Sequence, residues 1–132
     1  MTPSKAKPKK GKLKRNNVRL ESHEERTVDF LRKQGYDIEL IPPSNSPKSK
    51  TPDLMMQGLA WEMKSPTSNN LKTIERMFLR GLKQSQNLII DIRGIKTKPD
   101  TVLGYLKRLF SQTKSSKKMI IIYNGKSWTF KK

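Results

Sequence analysis

Two carboxylates and a lysine form the part of this sequence best suited to chemistry. Asp53 follows a proline, and Glu62 and Lys64 lie two residues apart in Trp-Glu-Met-Lys. Gln57-Gly58 between them is typical of a tight turn that joins two short strands. A two-residue loop places Asp53 directly opposite Glu62, with Cβ atoms about 4.5–5.5 Å apart; a bulge would shift this pairing by one residue. Carboxylates this close repel unless a cation lies between them, so the spacing predicts a metal site beside a fixed ammonium.

Strand alternation places the charged and the apolar residues of this segment on opposite faces. Glu62 and Lys64 fall on one face, and Trp61 and Met63 fall on the other, which is suited to burial. The alternative interpretation is a surface hairpin with an exposed Glu62–Lys64 ion pair, which contributes little stability. The metal-site interpretation indicates a nuclease. The spacing alone does not decide between a metal site and a surface hairpin.

Pro52-Asp53 followed by Glu62-Met63-Lys64 resembles the motif of the PD-(D/E)xK nuclease superfamily. From about Glu24 to Trp128, the chain is most similar to the C-terminal toxin domains of contact-dependent growth inhibition proteins, the CdiA-type tRNA nucleases. The resemblance implies that Asp53 and Glu62 bind a divalent metal, expected to be Mg²⁺. It implies that Lys64 helps to activate the attacking water.

The resemblance also implies two further catalytic residues, a glutamate from the first helix and a glutamine after the motif. Glu24 is the expected glutamate and third metal ligand, because it shares a helical face with the apolar Val28 and Leu31. Its neighbour Glu25 is expected on the solvent side. Gln84 matches the position of the family's glutamine, and Gln86 remains an alternative.

The composition indicates a polyanionic partner and excludes several classes of site. The chain has 29 basic and 11 acidic residues, a net charge of +18, which favours nucleic acid as the partner. The absence of cysteine excludes disulfides and thiolate zinc sites. No apolar run has the length of a transmembrane helix, and no secretory signal is expected at the N-terminus.

The first twenty residues carry basic side chains, Pro and Gly, and no acid, which predicts a disordered basic arm over residues 1–20. A single nuclease domain is expected over residues 21–132. The arm would bind phosphates, or alternatively serve only as a linker. The predicted nucleic-acid-binding residues are Lys9, Lys10, Lys12, Lys14 and Arg15 of the arm and Arg76, Arg80 and Lys83 of the second helix.

The periodicity predicts an α/β fold with the element order αβββαβαββ. Helices are expected at about 21–34, 71–86 and 101–112, and Asn124-Gly125 predicts a hairpin between the last two strands. The loop from Pro42 to Thr51 is interpreted as a plain connector or as a flap at the mouth of the site. The resemblance implies that these elements form a restriction-endonuclease-like mixed sheet flanked by helices.

Together, these observations predict a metal-dependent endonuclease that hydrolyses phosphodiester bonds. The resemblance favours tRNA over DNA as the substrate and implies a toxin that is delivered from another cell, acts in the cytoplasm and has a cognate immunity protein. The alternatives are a DNase of the same fold and a non-catalytic basic module that binds nucleic acid.

Overall fold

The computed structural model describes residues 9–44 and 51–132, which form one seven-stranded sheet with three helices. In chain order the elements are β1 (Leu13–Lys14), α1 (Ser22–Lys33), β2 (Ile38–Leu40), β3 (Leu54–Met56), β4 (Leu59–Lys64), α2 (Leu71–Leu82), β5 (Asn87–Asp91), α3 (Pro99–Gln112), β6 (Lys118–Tyr123) and β7 (Lys126–Lys131). The strand order across the sheet follows the order along the chain. None of the helices in these residues is long and apolar enough to span a membrane.

The predicted α/β class is confirmed, and the sheet is mixed. Strands β4, β5 and β6 are parallel and are connected through α2 and α3, whereas β2–β3, β3–β4 and β6–β7 are antiparallel. After β1 the elements follow the predicted order. The predicted loop over residues 42–51 falls largely outside the described part of the chain, so neither interpretation of it is tested.

The hairpin that carries the motif has the predicted register from its turn to the Leu54–Trp61 pair, but Asp53 and Glu62 do not pair. Leu54 pairs with Trp61 across a two-residue loop, and Gln57 and Gly58 have φ values of 55° and 74°. Positive φ at both loop residues is the geometry of a type I′ turn, which matches the twist of the flanking strands. Because the loop length fixes the pairing, the residues of β4 alternate between faces as expected.

The sheet is buried on both faces, and each face has its own apolar cluster. One cluster lies under α1 and includes Val28, Leu31, Trp61 and Met63. The other lies under α2 and α3, whose residues Ile74, Phe78, Val102 and Leu106 pack on Leu88, Ile90, Met119 and Ile121. Parallel strands covered on both faces are apolar throughout, which explains the continuous apolar run at β5.

The prediction of a disordered arm over residues 1–20 is wrong for residues 9–20, while residues 1–8 lie outside the described residues. Leu13 and Lys14 form a parallel strand beside β2, and the N–H of Gly11 donates to the carbonyl of Arg32 over 2.7 Å. The backbone of Gly11 passes so close to Tyr36 that a Cβ there would lie 1.7 Å from the Tyr36 carbonyl oxygen. This segment is therefore part of the folded domain.

Acidic residues of the domain offset the charge of this segment. Ion pairs join Lys10 to Asp29 at 3.1 Å, Lys14 to Glu39 at 3.7 Å, and Arg15 to Glu25 at 2.6 Å. Repulsion within residues 1–20 predicted disorder, whereas the partners of these cations lie later in the sequence. Three of the five cations that were predicted to bind phosphates in this segment thus pair with carboxylates, in exposed ion pairs that contribute little.

Candidate active site

Asp53 lies at the point where the β3–β4 ladder ends. Its N–H donates to the carbonyl of Trp61 over 2.9 Å, and its carboxylate oxygen Oδ2 accepts from the N–H of Met63 over 2.7 Å. These two bonds replace the direct pairing with Glu62 that was predicted from strand register. They orient the Asp53 carboxylate along β4, and Oδ1 has no hydrogen-bond donor among the described residues.

Glu62 is the buried carboxylate of the site, with 4% of its surface exposed. Its Oε2 accepts from Nε2 of Gln84 over 2.9 Å and lies 3.4 Å from Nζ of Lys64. Its Oε1 is also buried but has no hydrogen-bond partner within the described residues. A buried carboxylate oxygen without a partner is costly, because it has lost its hydration without a replacement.

The protonation of Glu62 reflects this environment. Burial, followed by the charge of Asp53, raises the pKa of Glu62 to about 8, and Lys64 opposes this shift. Burial and the neighbouring carboxylate therefore both favour the neutral acid of Glu62 over its charged form. A cation between the two carboxylates would reverse the effect of Asp53 and favour the charged form.

Lys64 ends β4 with its side chain 24% exposed. Its stem lies along the backbone of Gly81 in α2, where an added Cβ would meet Cε of Lys64 at 3.6 Å and a methyl carbon of Leu88 at 2.9 Å. The missing side chain at Gly81 therefore lets the helix pack closely against β4. The ammonium group is held beside Glu62 at a strand end, where it also remains accessible.

Gln84, rather than Gln86, donates a hydrogen bond to Glu62. The turn after α2 is fixed to β4 because the hydroxyl of Ser85 and the amide of Asn87 donate to the carbonyl of Ala60, over 2.6 and 3.1 Å. This anchoring allows Gln84 to reach Glu62, whereas Gln86 is exposed. The geometry separates two candidates that the sequence left open.

Glu24 lies on the wall of a cavity of about 340 Å³ that Asp53 and Gln84 also line. Val28 and Leu31 are buried as predicted, and Glu24 and its neighbour Glu25 are both half-buried. However, Oε1 of Glu24 accepts from the N–H of Glu21 over 2.9 Å in a capping box. The structure thus places Glu24 at the same cavity but does not record a contact with Glu62.

Among the described residues, one group of three possible metal ligands lies close together. Glu21, His23 and Glu24 have side-chain donor atoms within 4.8 Å of one another at the exposed start of α1. The three predicted ligands Asp53, Glu62 and Glu24 do not form such a compact group. Asp53 and Glu62 lie close enough to interact electrostatically, and Glu24 shares a cavity wall with Asp53.

The predicted phosphate contacts of α2 are accessible. Arg76, Arg80 and Lys83 are exposed on the helix and its C-cap, one residue before Gln84. Lys9 and Lys12 are exposed in the N-terminal segment. Lys10, Lys14 and Arg15 are exposed as well, but each of them pairs with a carboxylate.

A family model matches residues 50–127 of the chain and is described as the contact-dependent growth inhibition CdiA C-terminal domain. This match covers more than half of the sequence and includes Asp53, Glu62, Lys64 and Gln84. The chain belongs to this family. Glu24 lies before the matched region, so its assignment depends on the helix phase and the shared cavity.

The fold of this CdiA C-terminal domain is similar to that of a solved structure, a CdiA-CT/CdiI toxin and immunity complex from Burkholderia pseudomallei. The superposition has a TM-score of 0.71 and covers 92% of this chain and 100% of the other, with 18% sequence identity. At this identity the similarity concerns the fold. No curated protein matches the sequence.

The CdiA C-terminal domain also contains a buried ion pair that the sequence analysis did not identify. Asp91 at the end of β5 accepts from Nε and Nη2 of Arg93, over 2.9 and 2.7 Å, and from the hydroxyl of Thr27 over 2.8 Å. Although burial favours the neutral acid, these hydrogen bonds keep the pKa of Asp91 below its usual value. The signal in the sequence was an acid that interrupts the apolar run of β5.

Proposed function

We propose that this domain is a metal-dependent nuclease of the PD-(D/E)xK type that hydrolyses phosphodiester bonds in RNA. The observation that carries the proposal is the environment of Glu62, a buried carboxyl beside Asp53 with Oε1 unpartnered in the described part of the chain and Lys64 at 3.4 Å from Oε2. An apolar residue would fill this position at lower cost, so the arrangement is explained by a ligand that the carboxylates bind.

The donor set fits a hard divalent cation such as Mg²⁺. Oε1 of Glu62 and Oδ1 of Asp53 have no donors among the described residues, and carboxylate oxygens are the ligands that such ions prefer. Asp53 and Glu62 would bind the ion, and Glu24 would complete the shell from across the cavity, directly or through water. When bound, the ion polarises the phosphate and lowers the pKa of a coordinated water.

The other residues of the site would position the water and the Glu62 carboxylate, and would offset the negative charge of the substrate. Lys64 lies where it can hold the attacking water and offset the negative charge that develops on the phosphate. Gln84 donates to Oε2 of Glu62 and so directs Oε1 away from the turn, which fixes the orientation of the carboxylate. Arg76, Arg80 and Lys83 extend the positive surface from α2 toward Gln84 and would bind the flanking phosphates.

The membership in the CdiA C-terminal family supports a biological role as a toxin. We infer that the domain is delivered from one cell to another, acts in the cytoplasm of the recipient on tRNA, and is neutralised by a cognate immunity protein. The similar chain from Burkholderia pseudomallei was solved as a toxin and immunity complex, which supports the last inference. The preference for tRNA rests on the family resemblance.

The test is cleavage of purified nucleic acid. We expect the domain with Mg²⁺ to cut tRNA at a discrete position, to leave duplex DNA largely intact, and to lose activity in EDTA. The Lys64→Met variant, which keeps the apolar stem but removes the ammonium, should bind tRNA and leave it uncut. Faster digestion of a plasmid than of tRNA would make the domain a DNase, and binding without cleavage would make it a non-catalytic module.

A further inference from the structure

A second cavity of about 320 Å³ begins where β4 ends, immediately after Lys64. Its walls include the hydroxyl residues Ser65 and Thr67 and the cations Arg26, Arg93 and Lys96. The N-terminal turn of α1 separates it from the cavity of Glu24 and Asp53, because His23 lines one and Glu24 lines the other. Both cavities adjoin β4, because Ser65 of this cavity follows the strand directly and Asp53 of the other accepts from the N–H of Met63 in it.

Arg93 is held rigidly in the wall of this cavity. Asp91 binds its guanidinium in a bidentate manner, Nη2 also donates to the carbonyl of Arg26 over 3.1 Å, and the group lies 5.0 Å from the ring centre of Phe30. Nη1 has no acceptor among the described residues. A fixed guanidinium with a free pair of N–H donors is well suited to bind an oxyanion, since little side-chain entropy is lost on binding.

Asp91 neutralises Arg93, but Arg26 and Lys96 leave the cavity with a net positive charge. Asp91 is 6% exposed, and its two oxygens are occupied by Arg93 and Thr27. Arg26 is exposed and forms no ion pair within the described ranges, and Nζ of Lys96 contacts only the carbonyl of Arg93 at 3.5 Å. Two exposed cations and one fixed guanidinium thus line a cavity that also contains the hydroxyl groups of Ser65 and Thr67.

We propose that this cavity is a phosphate-binding subsite, in which Arg26, Arg93 and Lys96 bind a backbone phosphodiester next to the one at Glu62 and Lys64. The inference rests on the proposed nuclease function, because it assigns part of the substrate strand to this cavity. The subsite fixes the register of the strand by its phosphate rather than by its bases, so it contributes affinity and positioning without sequence preference.

The first experiment measures binding in EDTA, where no cleavage occurs. The double variant R26Q/K96Q removes two exposed cations from the cavity. The control K107Q/K114Q removes one cation from α3 and one from the turn after it, and these two residues line neither of the two cavities. For a single-stranded RNA oligonucleotide, we expect R26Q/K96Q to lower the slope of log affinity against log salt by about 0.7 for the lost phosphate contact. The K107Q/K114Q control should change the slope by less than half of that amount.

The second experiment locates the bound strand by amide chemical shifts. Titration with a trinucleotide in EDTA should shift the amides of Ser65, Thr67 and Gly94 in the wild type, and R26Q/K96Q should abolish these shifts. Equal slopes for the two double variants, or unshifted amides at the cavity, would overturn the subsite even if the wild type cleaves RNA with Mg²⁺. Shifts at the cavity in a protein that never cleaves would instead refute the nuclease function and leave the subsite in place.

Discussion

Gln84 donates a hydrogen bond from Nε2 to Oε2 of Glu62 over 2.9 Å, across 22 residues of sequence. The bond joins the turn after α2 to the middle of β4, and it satisfies one oxygen of a buried carboxylate while Oε1 stays without a partner in the described residues. A donor that occupies one oxygen orients the other, which is how residues outside a metal's own ligand shell position its ligands.

Replacement of Gln84 by alanine should lower metal affinity and cleavage by about 10- to 100-fold, because Glu62 loses the group that orients it. The loss of the bond should also reduce the free energy of unfolding by about 1 kcal/mol. Calorimetric titration with Mg²⁺ and a cleavage assay measure the two functional effects. Gln86→Ala is the matched control and should behave as the wild type, since Gln86 is exposed; a stronger effect at Gln86 would contradict the assignment.

The raised pKa of Glu62 predicts an unusual dependence of stability on pH. A carboxyl whose pKa is about 8 in the folded protein and about 4.5 when unfolded binds more protons in the folded state between these values. Stability in EDTA should therefore fall as the pH rises from about 4.5 to about 8, by no more than about 1.4 kcal/mol per pH unit for one proton.

Urea unfolding at pH 5, 6.5 and 8 measures this dependence. Glu62→Gln keeps the shape and stays neutral, so it should flatten the curve over that window and be more stable than the wild type at pH 8. Mg²⁺ should stabilise the wild type at pH 8 but not the variant, because ligand binding to the folded state raises stability. A wild type and a variant with parallel curves would exclude Glu62 as the titrating group.

Glu24→Gln should weaken Mg²⁺ binding and cleavage strongly while the fold is retained. Glutamine can still accept the N–H of Glu21, so the capping box survives the loss of charge. Glu25→Gln is the control and removes only the exposed pair with Arg15, which should leave cleavage unchanged. Cleavage assays with thermal melts of both variants test this, and an inactive Glu25→Gln with an active Glu24→Gln would reverse the assignment.

Gly11→Ala should detach the N-terminal segment from the domain. The added Cβ would lie 1.7 Å from the carbonyl oxygen of Tyr36, so β1 cannot remain beside β2 without a backbone shift. We expect faster proteolysis within residues 9–20 and a loss of stability of about 1–3 kcal/mol. Gly104→Ala in α3 meets no atom within 4 Å and should stabilise the helix by up to about 1 kcal/mol.

Limited proteolysis followed by mass spectrometry distinguishes the two glycine variants. If Gly11→Ala were as resistant as the wild type, the segment would be bound more loosely than its contacts with Arg32 and Tyr36 indicate. If it unfolded the whole domain, β1 would be essential to the sheet rather than an added edge strand.

The sequence by itself determined the features that depend on local geometry. The two-residue loop at Gln57-Gly58 set the register of β3 and β4, and alternation then assigned Glu62 and Lys64 to one face. The 3.6-residue period placed Glu24 in line with the buried Val28 and Leu31. In each case a single repeat length or a turn of known geometry links residues that are close in the chain.

Only the tertiary structure decided which distant residues meet. Arg15 joins Glu25 and anchors a segment whose own charges predicted disorder, Gln84 rather than Gln86 reaches Glu62, and Arg93 is fixed against Asp91 beside a cavity. These relationships depend on how a turn is anchored or how a helix lies against the sheet. Because packing between distant elements sets such distances, no pattern within a short window of sequence contains them.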